Sequence, residues 1–283
     1  MTGGDTESLF ARSQRFALGY SELRAEANHL LANSASRPPE SFAQIRHLAK
    51  RVQSLDHEIA TWLDSIPEEL RPTLVCWVSR DDIGVTRGID RYSEVEAFPG
   101  RVDRYPDFVT AMAWNVGRVS RLILASIGIR LTAWLCSPDD YRTTPEYETS
   151  SGTCEAIISE IIASVPYHLG GRRDGNALGK SARSGFACGE EGNRKALPAM
   201  FLMWSLTCVK NHDISTEEQR AWAMGRLKFI ADEAGLKYAK ILNQVGFFTI
   251  ICFYSQMLSP VLPSLSALTM TFPPRSTYAS HPC

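Results

Sequence analysis

The stretch GRRDGNALGKSARSG, residues 171–185, contains the residue types of a phosphate-binding loop. It includes Gly179–Ser181, which reads Gly-Lys-Ser, and a nucleotide-binding P-loop has the spacing G-x-x-x-x-G-K-[ST]. Here Asp174 stands where the first glycine is needed, and the nearest glycine, Gly175, makes the loop one residue too short. A P-loop also follows a buried strand, whereas the segment before this one has helical periodicity. The sequence therefore predicts no nucleotide site, and residues 169–193 are interpreted as a mobile basic connection between two helices.

Three segments that contain histidine are candidates for acid–base chemistry. Asp56–Glu58 reads Asp-His-Glu on a predicted helix, where adjacent residues do not face one another, so a solvated face is predicted. His168 follows a proline at a predicted helix end, where an imidazole can cap free carbonyl groups. Asn211–Asp213 reads Asn-His-Asp between two helices and is typical of a turn. Neither a G-x-S-x-G elbow nor an H-E-x-x-H helix is present, so the sequence predicts no enzyme, no catalytic residue and no cofactor-binding residue.

The cysteines give no metal-binding pattern. No two of the seven form a C-x-x-C pair, so the spacing predicts no metal site and no cofactor. Their odd number and the polar first residues favour reduced, mostly buried thiols in an intracellular protein. A cysteine–histidine pair formed by distant segments is left open by the sequence. The cysteines are Cys76, Cys136, Cys154, Cys188, Cys208, Cys252 and Cys283.

Apolar residues recur at helical spacing along most of the chain. One stripe runs from Phe16 to Leu30 and a second from Phe42 to Ile66, with the pair Pro38-Pro39 between them. This arrangement predicts two antiparallel helices. The long apolar segment 107–136 predicts a central, largely buried helix, in which three arginines argue against a membrane span.

Further helices are predicted over three segments: 154–165, 196–209 and 216–242. Pro166 is expected to close the first of them, and Ser215 or Thr216 to cap the last, where acidic residues follow in the first turn. Pro145 is placed in a loop, and residues 74–78 are interpreted as a short buried run. Because no segment shows strand alternation, the predicted fold class is all-α, an irregular multi-helix bundle of packed antiparallel helices.

The chain is predicted to divide into one all-α domain, residues 1–243, and a divergent apolar, proline-rich tail, residues 244–283, which is expected to be poorly ordered. The tail contains no charged residue before Arg275, which invites a membrane assignment. However, its apolar cluster Val245–Tyr254 is far shorter than the roughly 20 residues of a membrane-spanning helix, and prolines follow it closely. We therefore predict no membrane partner.

Five short motifs, taken in order, are more informative than any single one. Together they resemble the C-terminal regulatory region of fungal-specific transcription factors, whose N-terminal module is a binuclear zinc cluster held by six cysteines. The likeness spans about residues 16–243, and the closely spaced cysteines of a zinc cluster are absent from this sequence. The motifs are DHEIATWLDSIPEELRP (56–72), RVDRYPDFVTAMAWNVGR (101–118), IIASVPYHLG (161–170), ALPAMFLMWSL (196–206) and STEEQRAWAMGRLKFIADEAGLKYAKIL (215–242).

This resemblance implies a transcription regulator that consists of a regulatory domain without its own DNA-binding module. Such a protein acts through contacts with the transcription machinery or a DNA-binding regulator, or by sensing a small-molecule effector. Its expected setting is a secondary-metabolite pathway and its expected location the nucleus, with the cytoplasm as the alternative. A formal net charge of −1 gives no global attraction to nucleic acid, so we expect no direct sequence-specific DNA binding. The alternative function is an accessory protein or enzyme of fungal secondary metabolism on the same all-α scaffold.

The motifs also make predictions about packing. Trp114 and Arg118 are four residues apart on a predicted helix, so the guanidinium can stack on the indole ring. Pro166 is expected to end its helix at the preceding residue. Trp204 and Trp222 lie in two helices that should pack together. All of these are structural roles, and the resemblance implies no catalytic residue.

Overall fold

The computed structural model of the chain describes residues 7–34, 36–81, 89–169 and 196–244. These residues belong to one unit that ends at Gln244. They form seven α-helices and a two-stranded sheet, which confirms the all-α fold class. The helices are α1 (Leu9–Asn33), α2 (Pro39–Asp64), α3 (Phe108–Cys136), α4 (Pro145–Leu169), α5 (Ala196–Asn211), α6 (Glu217–Asp232) and α7 (Tyr238–Gln244).

Several predictions fall outside the described residues. The P-loop-like stretch 171–185, the apolar cluster Val245–Tyr254 and the rest of the tail are among them. The absence of a nucleotide site, the basic connection, the domain division and the tail therefore stay predictions.

The antiparallel pairing of α1 and α2 is confirmed by contacts at both ends of the pair. Near the connection, the Ser34 hydroxyl donates to the Ser41 hydroxyl (2.8 Å). At the far end, the rings of Phe16 and Trp62 lie 5.2 Å apart. Pro39 is the first residue of α2, a position that needs no N–H donor, so the proline pair begins the second helix as well as separating the two.

Helix α3 is the central element, as predicted. It begins at the Asp107 cap, whose carboxylate accepts the N–H of Thr110 (2.8 Å), and it packs against α1, α2, α4 and α5. By length and composition alone, α3 would also suit a membrane crossing. In this fold it is the central helix of a bundle, and its buried residues extend from Thr110 to Leu131.

Helix α4 corrects two predictions about prolines. Pro145 begins the helix instead of lying in a loop, because Thr144 caps it and accepts the N–H of Tyr147 (3.2 Å). Pro166 does not close the helix, which continues to Leu169. Residues 163–168 are all buried, so tertiary packing outweighs the local cost of a proline inside the helix.

The segment predicted as a short buried run is an exposed strand. Strand β1 (Thr73–Val78) pairs antiparallel with β2 (Gly100–Arg104), and β2 packs against α4. Only Val78 of β1 is buried, and the Trp77 side chain is 70% exposed. The apolar composition of residues 74–78 therefore indicated a regular element correctly, but the prediction that the segment is buried was wrong.

The last three helices pack in sequence, α5 on α6 and α6 on α7, which confirms the predicted packing of the helices that carry Trp204 and Trp222. Thr216, one of the two predicted caps, is the cap of α6, and it also forms a reciprocal capping box with Gln219. The prediction of one helix over 216–242 is wrong. Gly235, with φ of 71°, adopts a left-handed conformation that ends the first helix before α7 begins.

Helix α6 lies unusually close to the one-turn helix Ile89–Ser93. A Cβ atom on Gly225 would stand 1.9 Å from the carbonyl oxygen of Ser93, so only glycine fits there without moving the backbone. One turn earlier, the Trp222 indole N–H donates to the carbonyl oxygen of Val95 (3.1 Å). These two residues fix how α6 sits on the loop that precedes β2.

Candidate functional site

The residues of the second and third motifs meet in a buried polar network between α3 and α4. Arg118 is 2% exposed, and its Nε donates to the carboxylate of Glu160 (2.9 Å). Its Nη1 donates to the Tyr105 hydroxyl and to the Asn115 amide oxygen (3.2 Å). The predicted stacking is confirmed, since the guanidinium lies 5.2 Å from the centre of the Trp114 ring. We call Tyr105, Asn115, Arg118, Glu160, Ser164 and His168 the Arg118 network.

His168 belongs to this network and does not cap a helix end. Its Nε2 accepts the Asn115 amide N–H (3.2 Å), and the same amide group donates to the Ser164 hydroxyl (2.9 Å). Burial, reinforced by the charge of Arg118, lowers the pKa of His168 to about 3. The ring is therefore neutral near pH 7 and unsuited to act as a general base there, which needs a pKa near the working pH.

A serine–histidine pair links α3 to the turn after α5, but the proton roles are reversed from those of a nucleophile and its base. The Nδ1 of His212 accepts the backbone N–H of Ile214 (3.2 Å), so the proton is on Nε2 and is donated to Ser126 Oγ (2.8 Å). The Ser126 hydroxyl in turn donates to the carbonyl oxygen of Leu122 (3.1 Å). Burial lowers the pKa of His212 to about 4, so this pair joins two elements and does not activate the serine.

The Asp-His-Glu segment is split between two environments. His57 and Glu58 are exposed, as predicted for a solvated face. Asp56 departs from that prediction because it is half-buried and accepts from Arg121 Nε on α3 (2.9 Å). The three residues therefore do not form a catalytic group, and Asp56 helps to hold α2 against α3.

The cysteines described in the structure are all reduced: Cys76, Cys136, Cys154 and Cys208. Burial raises the pKa of Cys154 and of Cys208 to about 12, so both remain protonated thiols near pH 7 and are poor nucleophiles. Over the described ranges, no group of three or more cysteine, histidine or acidic side chains is placed to hold a metal ion.

A cavity of about 440 Å³ opens between the end of α1 and the end of α3. It is lined by Leu31, Arg37, Arg130, Ala133, Trp134 and Ser137. The Arg37 guanidinium lies 5.1 Å from the Phe42 ring centre and 4.5 Å from that of Trp134, and it donates to the Trp134 carbonyl oxygen. Arg130 donates to the Asn28 amide oxygen (2.8 Å). We call this the arginine cavity.

Sequence reasoning missed the arginine cavity. One signal was present, because Arg130 and Trp134 are four residues apart and so share one face of α3. The contribution of Arg37 had no such signal, since it follows from a φ of 55°, which non-glycine residues adopt rarely. None of the five motifs that carried the resemblance contains a residue that lines this cavity.

The comparisons with known proteins relate this chain to a transcription factor. It is similar to "Transcription factor dbaG" of Emericella nidulans, with 27% identity over 131 residues. The match covers 46% of this chain and 28% of that protein, so the chain spans well under half the length of its relative. No protein-family model matches the chain. No solved structure matches it either.

Proposed function

We propose that this chain is a regulatory domain of a fungal transcription regulator, acting through protein contacts or through a small-molecule effector. The observation that carries the proposal is the similarity to a fungal transcription factor over 131 residues. The predicted likeness to the C-terminal regulatory region supplies the finer assignment. A role in a secondary-metabolite pathway and a nuclear location belong to the same proposal, with the cytoplasm as the alternative location.

The contacts at the sequence motifs support a regulatory rather than a catalytic role. The Arg118 network satisfies its charge internally through Glu160, and its histidine is neutral. The Ser126–His212 pair has its proton on the wrong atom for nucleophile activation. In the part of the chain that the structure describes, the Arg118 network and the Ser126–His212 pair each join elements of the fold.

The test is a tethered reporter experiment. The whole chain is fused to a heterologous DNA-binding module and expressed with a reporter that carries the module's site. We expect the fusion to raise or lower reporter transcription relative to the module alone. A matched pair of glycine variants provides the control for folding. Gly225→Ala forces a Cβ onto the Ser93 backbone and should abolish the effect, whereas Gly128→Ala meets no heavy atom within 4 Å and should retain it.

Deletion of the gene in the organism that encodes the chain gives an independent measurement. We expect a set of transcripts to change, and complementation by the full chain to restore them. The proposal fails if the fusion behaves like the DNA-binding module alone and the deletion changes no transcript. Reporter activity that is identical for the two glycine variants would also contradict it, because the effect would then not need the folded domain.

A further inference from the structure

The two arginines of the arginine cavity lack a counter-ion. Within the described residues, neither Arg37 nor Arg130 lies within 4.0 Å of a carboxylate oxygen. Each donates to a neutral acceptor instead, the Trp134 carbonyl oxygen and the Asn28 amide oxygen. A guanidinium has five N–H donors in a planar fork, so each arginine retains donors for another acceptor.

Nearby charges increase the need for an anion. No acidic residue lines the cavity. Arg130 and Arg24, a buried residue of α1, repel one another. Burial lowers the pKa of Arg130 below its ordinary value, which means that its charge is poorly hydrated. A negative group brought to this position would gain more than one placed beside a fully hydrated arginine.

The position of Arg37 is fixed by its surroundings. The backbone has a φ of 55°, and the guanidinium lies against both the Phe42 and the Trp134 rings, which themselves make an edge-on contact at 4.8 Å. The Trp134 indole N–H donates to the carbonyl oxygen of Ser34 (3.1 Å). Strained backbone that persists because its surroundings fix it is a recurrent feature of ligand sites. The donor fork of Arg37 is therefore already oriented before any ligand arrives.

The rest of the lining is mainly apolar and defines the other half of the ligand. Leu31, Ala133 and Trp134 provide aliphatic and aromatic surface in a cavity of about 440 Å³ that is largely open to solvent. Arginine pairs a planar carboxylate with two parallel hydrogen bonds. We infer that the arginine cavity binds a small organic anion, with a planar apolar body against Trp134 and Leu31 and a carboxylate on Arg37 and Arg130.

The inference is tested on the purified full chain with 2-naphthoate as the probe, by isothermal titration calorimetry and by tryptophan fluorescence. We expect saturable binding with one site per chain. The neutral isostere 2-naphthamide removes the charge and acetate removes the ring, and each should bind at least tenfold more weakly. Equal affinity for 2-naphthoate and 2-naphthamide, or for 2-naphthoate and acetate, would overturn the inference.

Four variants locate the site. Arg130→Gln and Arg37→Met should each weaken 2-naphthoate binding at least tenfold. Ala133→Trp fills the cavity without changing charge and should abolish binding, which keeps the test decisive if either arginine variant fails to fold. Arg51→Gln removes a cation from the exposed pair with Glu26, neither residue of which lines the cavity, and should leave binding unchanged. Binding that survives Ala133→Trp, or that falls equally in Arg51→Gln, would place the probe elsewhere and contradict the inference.

Binding of an organic anion in the arginine cavity does not depend on the proposed function. Only the interpretation of this cavity as an effector site rests on it, so the two proposals can fail separately. Absence of 2-naphthoate binding would overturn the cavity assignment and leave the reporter result unaffected. If both hold, we expect 2-naphthoate to change reporter output of the wild-type fusion, and not that of Ala133→Trp.

Discussion

Arg118 and Arg130 lie on the same helix, α3, but have different electrostatic surroundings. Arg118 is enclosed by a hydroxyl, an amide and a carboxylate, and its charge is neutralised where it lies. Arg130, twelve residues further along α3, has one neutral acceptor and a like charge nearby. The first guanidinium has a carboxylate at hydrogen-bonding distance, whereas the second lies beside a cavity that no acidic residue lines.

The difference separates residues that hold the fold from residues that are available for recognition. A buried charge that is hydrogen-bonded to several protein groups holds their elements together, and removing it leaves those groups unsatisfied. A charged side chain beside an apolar cavity that has only one hydrogen-bond acceptor contributes little to the stability of the fold. Its contribution to ligand binding depends on the charge of the ligand.

Arg118→Met should cause the largest loss of stability. The Tyr105 hydroxyl and the Asn115 amide oxygen would lose their donor in a buried place, and the stacking on Trp114 would go, for a total of about 3 kcal/mol. Urea unfolding followed by circular dichroism measures it. Arg51→Met, which breaks an exposed pair with Glu26, is the matched control and should cost below about 1 kcal/mol. Equal losses of stability in the two variants would show that the Arg118 network contributes no more to stability than an exposed ion pair.

Acid should weaken the Arg118 network through His168. The pKa of this histidine is lowered to about 3 in the folded state, so below the unfolded value near 6.5 only the unfolded chain takes up the proton. Stability is therefore lost as the pH falls through that window, by about 2 kcal/mol between roughly pH 7 and pH 5. Urea unfolding at the two pH values measures the loss, and His168→Gln should reduce it. His212, with its pKa lowered to about 4, adds a separate contribution that this variant leaves in place.

At Arg37, the backbone cost can be separated from the side-chain contacts. Arg37→Ala and Arg37→Gly both remove the guanidinium, but only glycine adopts a φ of 55° without strain. The glycine variant should therefore be more stable than the alanine variant by about 1 kcal/mol, despite its more flexible unfolded state. Thermal unfolding of the two proteins under identical conditions measures the difference. A more stable alanine variant would show that the left-handed conformation is not kept.

Arg130→Met should have the smallest effect on stability. The variant loses the hydrogen bond to Asn28, keeps an apolar stem of similar length and relieves the repulsion with Arg24, so the net change should stay below about 1 kcal/mol. Measured beside Arg118→Met, it compares the same substitution at two positions of one helix. A loss of stability as large as that of Arg118→Met would show that Arg130 is required mainly to hold the fold together.

Helices were predictable from the sequence because their signals are local. The apolar stripes of α1 and α2, the proline pair between them and the acidic first turn of α6 each depend on residues within a few positions of one another. The stacking of Trp114 and Arg118 was predictable for the same reason. Errors occurred where distant parts of the chain decide. Pro166 stays inside α4 because its surroundings are buried, and β1 exists because β2 pairs with it from more than twenty residues away.

The candidate sites illustrate the same limit. His168 and His212 were identified as residues of interest, yet their roles depend on Asn115 and Ser126, which lie 53 and 86 residues away in the chain. The arginine cavity joins the segment after α1 to the end of α3, with Arg37 and the Trp134 carbonyl 97 residues apart. No spacing rule connects residues that far apart, so this cavity could be found only in the folded chain.

The close approach at Gly225 has a consequence for sequence change over time. No residue with a side chain fits at position 225 against the Ser93 backbone. Three residues earlier, the Trp222 indole N–H donates to the Val95 carbonyl oxygen. Selection should therefore remove mutations at these two positions while neighbouring positions change. In a set of diverged homologues, the spacing W-x-x-G in α6 should then remain after overall identity has fallen too low to align. That spacing is short enough to be searched for directly, and it offers a way to trace the ancestry of the chain.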